Sequence, residues 1–444
     1  MSTKQKTFYF IGIGGVGMSA LARLCLMEGH SVFGYDKVKS AITQDLSHQG
    51  IQIFYDEGLE DLPEEVLKHS TEIIYTAAIP DSHKQLQFFK NSGFLVRKRA
   101  VFLADWCAGK TTLAVAGTHG KTTTMAFLTH IFSQTGQSFT ALMGGFFQNN
   151  HSNLFRTGEE FVLVEADEYD RSFLHLHPTI AAVTSLDPDH LDIYETAAEF
   201  KSAFKVFSEQ VSQKLIVAHG IDLPGLSYGI DIEADYQIFN IKYDADGYHF
   251  DLKTPQNTYT NLRLNQLGVH NLANMLCAVA LADQVQIPMP RILEALISFP
   301  GVYRRMNCFK WKKKLLIDDY AHHPSEIKTV LETLKGFYPD QRLGVVFQPH
   351  LFSRTKDFYH QFIAVLSEFD EVILLEIYPA REKPIEGISS NQLLKDLEHP
   401  SKRLITKREM PQAIQEGQST VFALLGAGDI GVEIQKLKSQ NDNI

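Results

Sequence analysis

A short apolar run at 112–116 is followed by Gly117-Thr118-His119-Gly120-Lys121-Thr122-Thr123, and a helix-forming stretch begins at about Lys121. A glycine-bearing turn between a strand and a helix leaves several backbone N–H groups aimed at one spot, which suits phosphate oxygens. Lys121 is placed to neutralise the outer phosphates, and the Thr122 hydroxyl can reach a magnesium ion. The loop is G-x-x-G-K-T, two residues shorter than the usual G-x-x-x-x-G-K-[ST]. A second Gly-Lys-Thr stands at 109–111, but it precedes its strand and has no glycine upstream, so 117–123 is the phosphate loop.

An earlier turn has related chemistry. Gly12-Ile13-Gly14-Gly15-Val16-Gly17 follows the apolar run 8–13 and opens a helix over 18–28. Asp36 closes the next strand, 31–35, 19 residues after Gly17, where a dinucleotide fold places its ribose-binding acid. Read alone, the pattern fits a nicotinamide dinucleotide, another diphosphate, or a tight turn with no ligand. Two such loops in one chain call for two anionic substrates. A dehydrogenase leaves the second loop idle, and a simple NTPase leaves the first.

With 444 residues the chain exceeds what one hydrophobic core supports. Strands at 8–13, 31–35, 72–76 and 94–96 define a first unit, 1–107. Strands at 112–116, 161–165 and 180–184, with helices at 197–211 and 271–284 and short antiparallel pieces over 236–264, define a second, 108–303. Strands at 315–317, 343–347, 371–377 and 420–425 define a third, 304–444. Alternation of strands with helices predicts an α/β chain of parallel sheets covered by helices: a Rossmann-like domain, a P-loop-type central domain and a Rossmann-like C-terminal domain. The net charge of −10 argues against a general nucleic-acid binder. Cys25, Cys107, Cys277 and Cys308 form no C-x-x-C pair and suit reduced thiols in a cytoplasm. Glycines and Arg23 interrupt the apolar stretch 8–27, so neither a signal peptide nor a membrane anchor is expected. His175 and His177 alternate as strand residues do and are read as structural.

Further motifs follow in order: Glu165-Ala166-Asp167-Glu168, Asp187-Pro188-Asp189-His190-Leu191-Asp192, His270-Asn271-Leu272-Ala273-Asn274, Gly301-Val302-Tyr303-Arg304-Arg305, Asp318-Asp319-Tyr320-Ala321-His322-His323-Pro324, Phe347-Gln348-Pro349-His350 and Gly426-Ala427-Gly428-Asp429. Together with the two loops, over nearly the whole chain, they resemble the Mur ligases, which build the peptide of bacterial peptidoglycan. The resemblance implies a first domain that holds the UDP of UDP-N-acetylmuramate on Gly12, Gly14, Gly15, Gly17, Asp36 and Thr76. It implies a central domain that binds ATP on the 117–123 loop, and a third domain that binds the incoming amino acid, L-alanine in the branch whose motifs match.

The activity implied is ATP-dependent joining of a carboxylate to an amine. The γ-phosphoryl group passes to the muramoyl carboxylate, the amine attacks the acyl phosphate, and phosphate leaves. Anionic groups must meet in the first step, so cations are the main requirement. The resemblance assigns catalytic roles to Lys121, His190 and Arg305 (with Arg304 as the other arginine for the γ-phosphate), and Mg2+ binding to Thr122, Glu165 and His190. It places His270, Asn271 and Asn274 beside the adenine and Asp318 or Asp319 on the ribose. Tyr320, His322, His350 and Arg354 form the amino-acid pocket, with Arg354 as the natural partner of the alanine carboxylate. Leu351 stands where the family commonly carries an arginine. Two other readings are a ligase joining UDP-N-acetylmuramate to a recycled tripeptide, and a catalytically silent nucleotide-binding protein. A monomer or homodimer is expected, without nucleic-acid or membrane partners.

Overall fold

The structure, a computed structural model, describes residues 5–147, 152–187, 194, 196–244, 247–380 and 382–441. The chain is α/β with three sheets. It divides into two compact units: 1–241 with 250–262 and 272–300, and 242–249 with 263–271 and 301–444. Among the described residues no helix is long and apolar enough to cross a membrane.

The first unit begins with a five-stranded parallel sheet in the order Gln52–Phe54, Ser31–Tyr35, Thr7–Ile11, Glu72–Tyr75, Leu95–Lys98. Its middle strand, Thr-Phe-Tyr-Phe-Ile, is buried at four of five positions, as a strand covered on both faces requires. Gly12 turns the chain at φ +87°, a conformation that glycine adopts without strain. Gly15 then caps the helix Val16–Met27, whose N-terminus carries no side-chain cap.

The second sheet has ten strands: Thr258–Leu264, Gly247–Lys253, Tyr236–Asp244, Leu226–Ile230, Lys214–Ala218, Ile180–Val183, Thr111–Ala116, Phe161–Ala166, Phe139–Leu142 and Leu154–Arg156 in spatial order. Thr111–Ala116 runs parallel to both neighbours. Its carboxyl end therefore lies beside those of Phe161–Ala166 and Ile180–Val183, where open α/β sheets place their ligands. The helix Lys121–Gln134 is buried almost all round, and Phe127 stacks on Phe299 with ring centroids 3.8 Å apart. At one edge Phe139–Leu142 and Leu154–Arg156 pair antiparallel, a pairing that the sequence did not indicate. His175 ends the 3-10 segment Tyr169–His175, so the alternation expected of a strand there is wrong.

In the second unit, Asn307–Trp311, Lys314–Asp319, Val421–Leu425, Leu343–Phe347, Glu371–Leu374 and Lys402–Leu404 form a six-stranded sheet. It is parallel except for its first pair. The two-residue period of a strand sends Val345 and Phe347 into one hydrophobic cluster and Val346 into another, so the sheet is covered on both faces. One ionic knot is sealed inside. Asp318, with no exposed surface, accepts from Arg304 Nε at 3.1 Å and from Lys438 Nζ at 3.0 Å. Arg304 also donates to the carbonyls of Gly426 (2.5 Å) and Gly428 (3.4 Å). The knot joins the 301–306 loop, the strand Lys314–Asp319 and the C-terminal helix.

Breaking a buried pair strands the remaining charge. Asp318→Asn is therefore expected to destabilise the second unit by about 3 kcal/mol or more, seen as a lower denaturation midpoint in Trp311 fluorescence. A midpoint equal to the parent's contradicts this role.

Candidate functional site

Both glycines of the 117–123 loop are sterically required. Gly117 has φ +132°, and a Cβ there would lie 2.2 Å from Thr184 Oγ1 and 2.9 Å from the Ser185 nitrogen. Gly120 has φ +83° and would meet Asn274 Oδ1 at 2.4 Å. The segment after Ile180–Val183 clamps the loop. Thr184 Oγ1 donates to the His119 carbonyl (2.5 Å), the His119 N–H to Ser185 Oγ (2.8 Å), and Thr118 Oγ1 to the Asp187 carbonyl (2.8 Å). Thr123 is already inside the helix that follows.

Thr122 Oγ1 donates to Glu165 Oε2 at 3.0 Å, and the Gly144 N–H donates to Glu165 Oε1 at 2.6 Å. Burial raises the Glu165 carboxyl above the usual carboxylate range, against the pull of the Gly144 N–H, Lys121 and Thr122. A hydroxyl and a carboxylate in contact are hard oxygen donors, the set that suits magnesium. His190, the third expected ligand, lies outside the described residues. Among those described, no group of three or more His, Cys, Asp or Glu is arranged to hold a metal. Lys121 Nζ donates to the Gly117 carbonyl (2.5 Å) and to both oxygens of Glu168 (2.8 and 2.6 Å), whose side chain is only 2% exposed.

A cavity of about 340 Å³ opens beside this loop, and its lining includes Gly15, Gly17, Thr76, Lys121 and Glu165. Residues of both glycine turns thus face one space. Asp36 is tied to the first turn, accepting from the Gly14 N–H at 2.8 Å and the Val38 N–H at 3.0 Å. The sequence reading missed Lys98 and Arg99, which also line the cavity. Lys98 pairs with Asp170 at 2.8 Å, and Arg99 Nη2 donates to Asp167 Oδ2 at 3.3 Å. The available signal was the run Arg97-Lys98-Arg99 just after the expected strand 94–96.

In the second unit, His270 is pushed down to about 4 by burial, with Arg305 adding to the shift. Asn271 Nδ2 donates to the Leu267 carbonyl at 2.6 Å, while Asn274, in the first unit, stands against Gly120. Asp318 is spent in the ionic knot. Asp319 accepts from the Met306 and Ala321 N–H groups, both at 2.8 Å, and burial raises it to about 6 against the pull of Arg305. Arg304 is sealed in the knot at 4% exposure, whereas Arg305 is half-buried and lies over the Tyr320 ring at 5.5 Å.

Tyr320, His322 and His350 gather as expected, with ring centroids 5.4 Å apart for Tyr320–His322 and 5.8 Å for His322–His350. Tyr378, not foreseen, stacks on His350 at 5.7 Å. Burial lowers His322, and burial together with His322 and Arg354 pushes His350 down to about 4. The Arg354 guanidinium forms no hydrogen bond or ion pair with the described residues. Leu351 holds φ +70°, its N–H donating to the Tyr378 carbonyl at 3.0 Å.

Three family models match the chain: "Mur ligase family, catalytic domain" over 7–111, "Mur ligase middle domain" over 115–282, and "Mur ligase, glutamate ligase domain" over 304–430. The chain is 46% identical over 439 residues to the UDP-N-acetylmuramate–L-alanine ligase of Christiangramia forsetii, covering 98% of this chain and 97% of that protein. It is 45% identical over 437 residues to the enzyme of the same name from Flavobacterium psychrophilum, covering 98% of each. Among solved structures it is similar to the UDP-N-acetylmuramate–alanine ligase of Thermotoga maritima, with TM-score 0.84, 26% identity and coverage of 98% and 99%. It shares the fold of a murein peptide ligase from Psychrobacter arcticus at TM-score 0.71 and 22% identity, covering 99% of each chain.

The two depressed histidines set a pH signature. His270 and His350 remain neutral in the folded chain down to about 4, while in the unfolded chain they protonate below roughly 6.5. Their contribution to stability is complete above about 6.5 and is lost as pH falls toward 4. Imidazole NMR of the ligand-free protein is expected to show both midpoints near 4; a midpoint above 6 for either contradicts the buried environment.

Proposed function

The chain belongs to the Mur ligase family, and we propose that it joins L-alanine to UDP-N-acetylmuramate in peptidoglycan biosynthesis. It is an ATP-dependent amide-bond ligase. The observation that carries the alanine reading is the end-to-end match to alanine-adding ligases, and residues of both glycine turns lining one cavity are consistent with it. We retain 1–107, 108–303 and 304–444 as the division of labour into UDP-sugar, ATP and amino-acid domains, in the cytoplasm.

In this reading the helix N-terminus at Gly15–Gly17 and the Asp36-bound turn hold the UDP moiety, with Thr76 at the same wall. The 117–123 loop cradles the nucleotide phosphates through its backbone N–H groups. Lys121 neutralises the charge that gathers as the γ-phosphoryl group passes to the muramoyl carboxylate. Mg2+, held by Thr122 and Glu165 with His190, would supply further neutralisation when bound. Arg305 takes the γ-phosphate role, because the donors of Arg304 are spent elsewhere. Asp319 rather than Asp318 serves the ribose, and His270, Asn271 and Asn274 serve the adenine. Arg354 binds the alanine carboxylate as a planar fork. His322 and His350, held neutral by burial, accept hydrogen bonds from the amine, with Tyr320 beside them.

The test is phosphate release from ATP and magnesium with UDP-N-acetylmuramate, comparing L-alanine, glycine, L-serine and a muropeptide-type tripeptide. Release that requires both the sugar nucleotide and L-alanine is expected, and Lys121→Ala should lower kcat by roughly 100-fold or more. Release with the tripeptide alone would move the chain to the recycling branch, and no release with any acceptor would overturn the ligase reading.

A further inference from the structure

The three cations lining the cavity are already occupied, and by one short stretch of chain. Arg99 meets Asp167 at 3.3 Å, Lys121 meets both oxygens of Glu168 at 2.6 and 2.8 Å, and Lys98 meets Asp170 at 2.8 Å. Lys98 and Arg99 come from the junction of the strand Leu95–Lys98 with the helix Arg99–Cys107, and Lys121 opens the helix Lys121–Gln134. Their partners all lie in the 167–170 turn that follows the strand Phe161–Ala166. The Lys121–Glu168 pair is the most shielded, with side-chain exposures of 15% and 2%.

This neutralised state opposes binding. Both substrates are anions, and a phosphate oxygen placed on Lys121 would stand beside the Glu168 carboxylate in its present position, a like-charge contact in a shielded site. The turn is also held in a costly backbone conformation. Asp170 and Arg171 are consecutive non-glycine residues at φ +53° and +54°. Arg171 is anchored by an ion pair to Glu199 and lies over the Tyr194 ring at 5.3 Å. Movement of the turn would relieve that strain while freeing its three cations.

We propose that the 167–170 turn is an internal counter-anion which the substrates displace, with Glu168 as the positioning residue that holds Lys121 until the nucleotide phosphates take it. Release of Glu168 shifts the turn and frees Arg99 and Lys98 for the sugar nucleotide. The two anionic substrates then bind cooperatively, and by linkage each strengthens the other by the same factor. The identity of the sugar nucleotide rests on the ligase reading; the hold of Glu168 on Lys121 does not.

Calorimetric titration of the full chain with magnesium, a non-hydrolysable ATP analogue and UDP-N-acetylmuramate, singly and together, tests the proposal. In the parent, each ligand is expected to bind roughly fivefold or more tightly when the other is present. Glu168→Gln keeps shape and a hydrogen bond to Lys121 but removes the charge. It should bind the analogue several-fold more tightly than the parent and bring the coupling factor toward one. Asp170→Asn should tighten the sugar nucleotide added alone. Analogue binding by Glu168→Gln that is unchanged or weaker, with coupling intact, overturns the proposal. Should circular dichroism show that variant unfolded, unchanged sugar-nucleotide affinity in Asp170→Asn overturns it instead. A parent that binds the analogue but neither binds UDP-N-acetylmuramate nor releases phosphate with it defeats the ligase reading, while the Glu168→Gln nucleotide arm still decides the hold on Lys121.

Discussion

At Gly120 the chain turns left-handed with Asn274 Oδ1 so close that any side chain would strike it, and the proposed ATP site hangs on that turn. It starts the helix Lys121–Gln134 where the strand Thr111–Ala116 ends, and it fixes Lys121 and Thr122 on the first helical turn. The parallel neighbours then bring Glu165 and Thr184 to the same carboxyl end of the sheet. A side chain at Gly117 or Gly120 would open the clamp made by Thr184, Ser185 and Asn274. The geometry of lysine, hydroxyl and carboxylate thus depends on two residues that contribute no functional group.

Much of this was legible because it is local. A glycine turn, its preceding apolar strand and its following helix lie within a few residues of one another, so residue type alone specifies them. Ser31–Tyr35 and Leu343–Phe347 were read with their bounds, the second being buried at every position. Among the strands that escaped notice, Leu154–Arg156, Asn307–Trp311 and Lys402–Leu404 are short or polar, although Lys214–Ala218 is neither. Those three owe their conformation to a partner strand, and two of them pair antiparallel.

The ion pairs of the cavity were illegible for a different reason. Lys98 and Asp170 are 72 positions apart, and Arg99 and Asp167 are 68. Nothing in either local sequence names the other, and only the packing of one sheet's loops on the next joins them. Burial also separated choices that sequence left open. Arg304 and Arg305 are chemically identical neighbours, yet the first is locked onto Asp318, Gly426 and Gly428. The same knot removes Asp318 from contention and leaves Asp319, whose oxygens organise the backbone at Met306 and Ala321.

The two pockets solve opposite electrostatic problems. The cavity of the first unit, proposed to serve polyanions, keeps its cations matched by carboxylates, so no uncompensated charge is buried in the empty site. The expected amino-acid pocket serves a zwitterion with one carboxylate and one amine. It keeps Arg354 unpaired among the described residues and its histidines neutral through burial. Arg354 and Lys121 are both partly exposed, so solvent access does not separate them; the charge each must meet does. A site proposed to receive several phosphate charges gathers three cations, which carboxylates balance while it is empty, whereas one proposed to receive a single carboxylate holds one guanidinium and needs no such balance.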